Sequence, residues 1–153
     1  MRVLSGVLIS GVVLACQPQA EPLLDTDKTA MRAVTDSFTA YVVMHRDSMA
    51  AAQYAETATL MPPNHGMVQG RAAIRAFIAA FPPLSHFTAS PIEIDGRADL
   101  AYMRGTYHMT FASPPGRPAI EDHGKFLEIR RRQDNGKWLV VADMFNSDLP
   151  AKP

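Results

Sequence analysis

Four side chains in the C-terminal third of the chain could do chemistry together: Arg104, His108, Glu128 and Asp143. Two carboxylates beside a guanidinium and an imidazole can activate a water or polarise a carbonyl, with Glu128, Asp143 or His108 as acid and base and Arg104 facing a carbonyl or carboxylate. The same residue types also make a structural network in which Arg104 pairs with Glu128 or Asp143, and residue types alone leave both readings open. Which of them meet is set by the strands that carry them.

Those strands follow from period-two patterning and turn residues. Phe87 to Ile94 turns at Asp95-Gly96 into Asp99 to Phe111; a loop with Pro114, Pro115 and Pro118 follows; Ile120 to Arg132 then turns at Asn135-Gly136 into Lys137 to Ser147. Parity within each hairpin sorts the faces. Phe126, Glu128 and Arg130 fall with Leu139, Val141, Asp143 and Phe145, whereas Leu127 and Ile129 fall with Trp138, Val140 and Ala142. In the first hairpin Tyr102, Arg104, Thr106 and His108 share one face, and Ala101, Met103, Gly105, Tyr107 and Met109 the other. Both faces carry apolar residues, so both need a cover. Helices supply one cover, and a second subunit, packed on a face that includes Tyr107, Leu127, Ile129, Trp138, Val140 and Ala142, supplies the other.

The helices come first in the chain. Met31, Val34, Phe38, Tyr41, Val42 and His45 recur at helical spacing from Asp25 or Thr26; Asp47 can cap a short second helix; Thr57 to Met61 is strand-like; and Pro62-Pro63-Asn64-His65-Gly66 is a loop. A third helix carries Ile74, Phe77, Ile78 and Phe81 and stops at Pro82-Pro83. Helices followed by a meander of long strands predict an α+β domain with one curved sheet.

Ahead of all this, Arg2 and the apolar stretch Val3 to Ala15 read as a secretory signal, too short for a bilayer-spanning helix. Val13-Leu14-Ala15-Cys16 is similar to the lipobox of bacterial lipoproteins, which gives the single cysteine a use as the lipidated residue. Residues 1–15 are then the signal peptide, 16–25 a tether and 26–150 the domain. Gln17 is not the aspartate associated with inner-membrane retention, so the expected place is the cell envelope, lipid-anchored on the outer membrane and facing the periplasm. With 15 basic against 15 acidic residues and no basic run beyond Arg130-Arg131-Arg132, no nucleic-acid partner is expected. The histidine spacings offer no local chelate and no phosphate-binding glycine loop occurs, so neither a metal nor a cofactor is expected. His45 reads as a cap or core residue, His65 as a loop residue near a cleft mouth, and His86 and His123 as exposed.

Tyr54-Ala55-Glu56-Thr57-Ala58-Thr59-Leu60-Met61-Pro62-Pro63, Gly70-Arg71-Ala72-Ala73-Ile74-Arg75-Ala76-Phe77, Asp134-Asn135-Gly136-Lys137-Trp138 and Asp143-Met144-Phe145-Asn146-Ser147-Asp148 resemble the SnoaL-like branch of the nuclear-transport-factor-2-like superfamily, from about Asp27 to Leu149. The resemblance implies a cone-shaped domain, with the N-terminal helices in the concave face of a mixed, mostly antiparallel sheet. It also implies a family of ketosteroid isomerases, cyclases, dehydratases, epoxide hydrolases and non-catalytic binders. On the isomerase pattern the general base falls at Pro62 and the oxyanion-hole tyrosine at Phe38, neither able to serve, and the oxyanion-hole acid falls at Glu128. Steroid isomerisation is therefore excluded. The expected concave pocket takes Phe38, Tyr102, Arg104, His108, Phe126, Val141 and Phe145 as ligand contacts, with Glu128, Asp143 and His108 as acid or base. The expected function is binding of a small, partly apolar molecule by a lipid-anchored homodimer; the alternative is a lyase, isomerase or hydrolase.

Overall fold

A computed structural model describes residues 21–150; the signal segment, Cys16 and the tether through residue 20 lie outside them. Three helices, α1 (Asp25–Val43), α2 (Asp47–Ala51) and α3 (Arg71–Ala80), are joined to six strands: β1 (Tyr54–Met61), β2 (Val68–Gln69), β3 (Leu84–Arg97), β4 (Leu100–Phe111), β5 (Glu121–Arg132) and β6 (Trp138–Ser147). The strands form one sheet in the order β2-β1-β6-β5-β4-β3. It is antiparallel except where β1 runs parallel to β6. This is the mixed α+β arrangement expected, with the two-residue β2 as an addition too short to read from alternation.

The residues between the expected tether and α1 are already part of the fold. The Ala98 N–H donates to the Glu21 carbonyl at 2.8 Å and the Leu23 N–H to the Gly96 carbonyl at 3.2 Å. Leu23 is buried beside Met31, Met103 and Trp138. Glu21 and Leu23, expected in the tether, thus already pack against the domain.

α1 ends where His45 adopts the left-handed conformation, with φ of 53°. The N–H groups of His45 and Arg46 close back on the carbonyls of Val42 and Tyr41 at 3.1 and 2.8 Å, which satisfies two carbonyls the helix leaves open. His45 is exposed, so it is a helix terminator and not a core residue. The side chains α1 buries most deeply are Asp27, Met31, Thr35 and Thr39, one per turn. Three of these four are polar, and hydrophobic periodicity is blind to them.

Two local features overturn the expected faces. The Pro-rich β4–β5 loop does not preserve parity, and the register sets Met103 opposite Glu128 and Gly105 opposite Phe126. The inner face of β4 is therefore Ala101, Met103, Gly105, Tyr107 and Met109, all buried. Tyr102, Arg104, Thr106 and His108 lie on the outer face. In β6, Ile129 is opposite Ala142 but Arg130 is opposite Val140, so Val141 is the extra residue of a bulge. That bulge turns Val140 and Trp138 inward, where they are buried, and leaves Leu127, Ile129 and Ala142 on the outer face without them.

Two aromatic rings lie over glycines directly across the ladder, Phe126 over Gly105 and Tyr107 over Gly124. A Cβ on Gly105 would stand 2.2 Å from the Ser90 carbonyl oxygen and 2.9 Å from the Phe126 ring; one on Gly124 would stand 1.9 Å from the Asn146 oxygen and 2.8 Å from the Tyr107 ring. Backbone oxygens cannot retreat without breaking the ladder. Gly105→Ala should therefore cost about 2 kcal/mol or more in a denaturant melt, as overpacking does; a variant as stable as the parent would mean that β3 and β4 are further apart than this.

Candidate functional site

Asp143 on β6 lies directly opposite Glu128 on β5, and both point under the helices. The β6 bulge sits next to an irregularity in β1 between Tyr54 and Thr59, and together they bring the Tyr54 hydroxyl to the Asp143 carboxylate, to which it donates at 2.6 Å. α3 fixes the other end of Tyr54, since Arg71 Nε donates to the Tyr54 carbonyl at 2.7 Å. Glu128 has a different partner: Arg130 donates to it through Nε at 2.7 Å and lies in an ion pair with it at 2.6 Å through Nη2. Nη2 also donates to the Thr35 hydroxyl at 3.1 Å, and that hydroxyl can give its own proton to the Met31 carbonyl at 3.0 Å. Arg130 is 1% exposed, and its Nη1 has no partner among the described residues.

Electrostatics separates the two carboxylates. Burial, and next the negative charge of Glu128, push the Asp143 carboxyl up to about 7, against the weaker pull of its hydrogen bond from Tyr54 and the charge of Arg130. The Tyr54 hydroxyl is driven well above its ordinary value, chiefly by burial and then by the charges of Asp143 and Glu128, so it stays a donor at neutral pH. Asp143 is thus able to take or give a proton near neutrality.

Above this floor is an open cleft of about 80 Å³. Eight of its seventeen lining residues are aromatic: Phe38, Tyr54, Phe77, Phe81, Phe87, Tyr107, Phe126 and Phe145. Phe38 meets the rings of Tyr54 and Phe87 edge-on at 6.0 and 6.2 Å. Apart from the tyrosine hydroxyls, the polar side chains on the lining are those of Thr35, Glu128 and Asp143. His65 is exposed on its loop and meets the Phe77 ring edge-on at 5.5 Å, so it stands beside the cleft wall.

The model of the SnoaL-like domain family matches residues 33–142, most of the chain. The chain belongs to the SnoaL-like family. Solved structures agree on the fold. An NTF2-like protein with a cystatin-like fold from Novosphingobium aromaticivorans matches with a TM-score of 0.72 at 14% identity, over 82% of this chain and 84% of that one. A ketosteroid isomerase-like protein from Erwinia carotovora atroseptica gives 0.70 at 14% identity, over 83% and 100%. A protein provisionally assigned as a scytalone dehydratase, also from Novosphingobium aromaticivorans, gives 0.69 at 16%, over 81% and 85%. At such identities the likeness establishes the fold alone. No curated protein matches the chain in sequence.

Within this SnoaL-like domain the expected site residues divide in two. Phe38, Phe126, Glu128, Asp143 and Phe145 line the cleft. Tyr102, Arg104, His108 and Val141 do not. Arg104 is half exposed on the outer face, where it and the Tyr102 hydroxyl both engage Glu93 of β3. Those two hydrogen bonds hold the Glu93 carboxyl below its ordinary value. His108 lies on the same outer face near Glu121, and Val141 is spent on the bulge. Arg104 therefore meets neither Glu128 nor Asp143, and Arg130 takes the role expected of it. Arg130 was readable in principle, because it stands two residues from Glu128 on a strand and shares its face. Its place in a run of three arginines makes it look like solvated surface. Tyr54 lies inside a family motif, but only the bulges reveal its partner.

Proposed function

We propose that the cleft binds a small, mostly apolar molecule carrying one polar oxygen, and that Asp143 exchanges a proton with it. The supporting observation is a buried carboxyl near pKa 7 on the floor of an aromatic cleft. A neutral polar group arriving there finds one proton-exchanging side chain, itself held by the Tyr54 hydroxyl, and apolar walls take the rest. Asp143 can take the proton from a carbon next to a carbonyl and either return it to another carbon, an isomerisation, or give it to a departing hydroxyl that leaves as water, a dehydration, so the reaction class is isomerase or lyase. Binding without chemistry is the second reading. It is favoured by Phe38 and Pro62, which stand where the isomerase pattern has a donor and a base.

A crystal structure of protein purified from its host tests the proposal. A ligand oxygen within about 3 Å of Asp143 or Tyr54 is expected. A cleft closed by Phe38, Phe126 and Phe145, or a ligand seated elsewhere, would remove it.

The lipid anchor at Cys16, with residues 1–15 as signal and an outer-membrane, periplasm-facing location, belongs to the same proposal. It is supported by the lipobox-like residues Val13-Leu14-Ala15-Cys16. The homodimer through the outer sheet face is supported by Leu127 and Met144, exposed by 39% and 47%, beside Ile129 and Ala142. Cys16→Ala should release the protein from the membrane fraction, and the released protein should sediment as a dimer at tens of micromolar. Unchanged fractionation counts against the anchor, and a monomer counts against the outer face as an interface.

A further inference from the structure

Three of the five histidines, far apart in sequence, are brought together by strand register on the outer face, away from the cleft. His108 on β4 is directly opposite His123 on β5. Across the other edge of β4, Thr88 is opposite His108 and Thr110 is opposite His86, so His86 is the diagonal neighbour of His108. The two rings have their centroids 6.0 Å apart. Glu121 occupies the other diagonal, opposite Thr110, and its Oε2 lies 3.6 Å from His108 Nε2. His108 is thus the hub of a patch with an imidazole or a carboxylate on each of three neighbouring positions. The nearest cation along β5, Lys125, is paired with Asp148.

From this juxtaposition we propose that His86, His108, His123 and Glu121 form a surface site for a divalent transition metal of the kind imidazole favours, with zinc as the reference ion. Three neutral nitrogen donors and one carboxylate are a tetrahedral zinc set. Two ligands held at 2.0–2.1 Å in a tetrahedron stand roughly 3.3 Å apart, so the His108–Glu121 separation needs to close by only a few tenths of an ångström. Among the described residues no three such donors are already arranged to hold an ion, so the side chains must turn to form the site. His86 and His123 are exposed and can turn about their side-chain bonds without displacing packed atoms, while His108 is held half-buried at the centre. Antiparallel partners and their diagonals are within reach of long side chains, which is why register succeeds where sequence spacing offers no chelate. The site is independent of the proton chemistry proposed for Asp143, which lies on the opposite face.

The test is a zinc titration of the purified chain in competition with a chromophoric chelator, repeated on His108→Gln, His123→Gln and, as a control from the cleft mouth, His65→Gln. One ion per chain is expected, with affinity in the micromolar range or tighter, weakened at least tenfold by either patch variant and unchanged by His65→Gln. The patch positions are on the surface, so circular dichroism should show all three variants folded. If a variant does not fold, His86→Gln serves in its place. No saturable binding at 100 micromolar zinc, one ion per two chains, or equal affinity in the parent and His108→Gln would each overturn the proposal.

Discussion

Asp143→Asn should make the protein more stable at pH 8 while removing any proton chemistry. In the folded chain the Asp143 carboxyl is held near 7, above its ordinary value of 3.8, because ionising it places a charge in a buried site opposite Glu128. Between those two values the folded state keeps a proton that the unfolded state has released. The contribution of this group to stability is therefore fully present below about pH 4, falls as pH rises, and is lost above about pH 7. The whole swing is of the order of 4 kcal/mol. Asparagine cannot ionise, and it keeps an oxygen to accept the Tyr54 proton. The variant should gain about 1–3 kcal/mol over the parent at pH 8 and little or nothing at pH 4, measured as denaturant midpoints across that range. Parallel pH profiles for the two proteins would place Asp143 in contact with water. A gain in stability on removing a buried carboxylate is what a site held for function shows, since a carboxylate kept only for structure would cost stability when lost.

The same residues show where sequence reasoning succeeds and stops. Apolar periodicity located α1, α3 and the four long strands, because those elements are built by burying one face each, and a buried Met31, Ile74 or Met103 contributes roughly 1.5–3 kcal/mol apiece. Turn chemistry located the second hairpin at Asn135-Gly136, but the first turns at Ala98-Asp99 and not at the expected Asp95-Gly96, which pair with Tyr102 and Ala101 inside the ladder. The faces are a different matter: they depend on integer register, and one uncounted residue inverts everything beyond it. Glu128 and Asp143 were correctly paired because the Asn135-Gly136 hairpin and the bulge at Val141 leave that part of the ladder in step. Trp138 and Val140, on the far side of the bulge, were not. Arg104 and His108 were placed on the concave face by the register of the isomerase pattern, whereas across the proline-rich loop, whose length no turn rule fixes, it is Met103 that stands opposite Glu128. With Tyr107 and Met109 as the residues of β4 that line it, the cleft is apolar except at its floor. The ligand sought is correspondingly less charged than one that would face an arginine.

Arg130→Met should be the most damaging single change in the chain, and Arg104→Met nearly silent. Arg104 and Glu93 are a largely solvent-facing pair on the outer sheet, and such pairs contribute less than about 1 kcal/mol. Arg130 is enclosed, and it holds Glu128 by two contacts and Thr35 of α1 by a third. It is one of the polar ties between helix and sheet, beside Asp27 of α1, which accepts from Trp138 and Arg132. Replacing it with methionine fills similar volume but leaves Glu128 without its cation and directly opposite Asp143, a loss of about 3–5 kcal/mol. Adding Glu128→Gln removes the stranded charge, so the double variant should recover part of that loss, with a coupling of 1 kcal/mol or more in the cycle of parent, both singles and double. The recovery should be incomplete, because Thr35 still lacks the donor that Arg130 supplied. Glu128→Gln alone separates this scheme from simple packing. It removes the negative charge that helps to raise the Asp143 carboxyl, so the falling limb of the stability profile should move to lower pH as Arg130 loses its partner. Additive effects in the cycle, or an Asp143 limb that stays in place when Glu128 is neutralised, would mean that the two carboxylates do not share one buried field, and the cleft floor would lose the asymmetry that makes Asp143 its proton carrier.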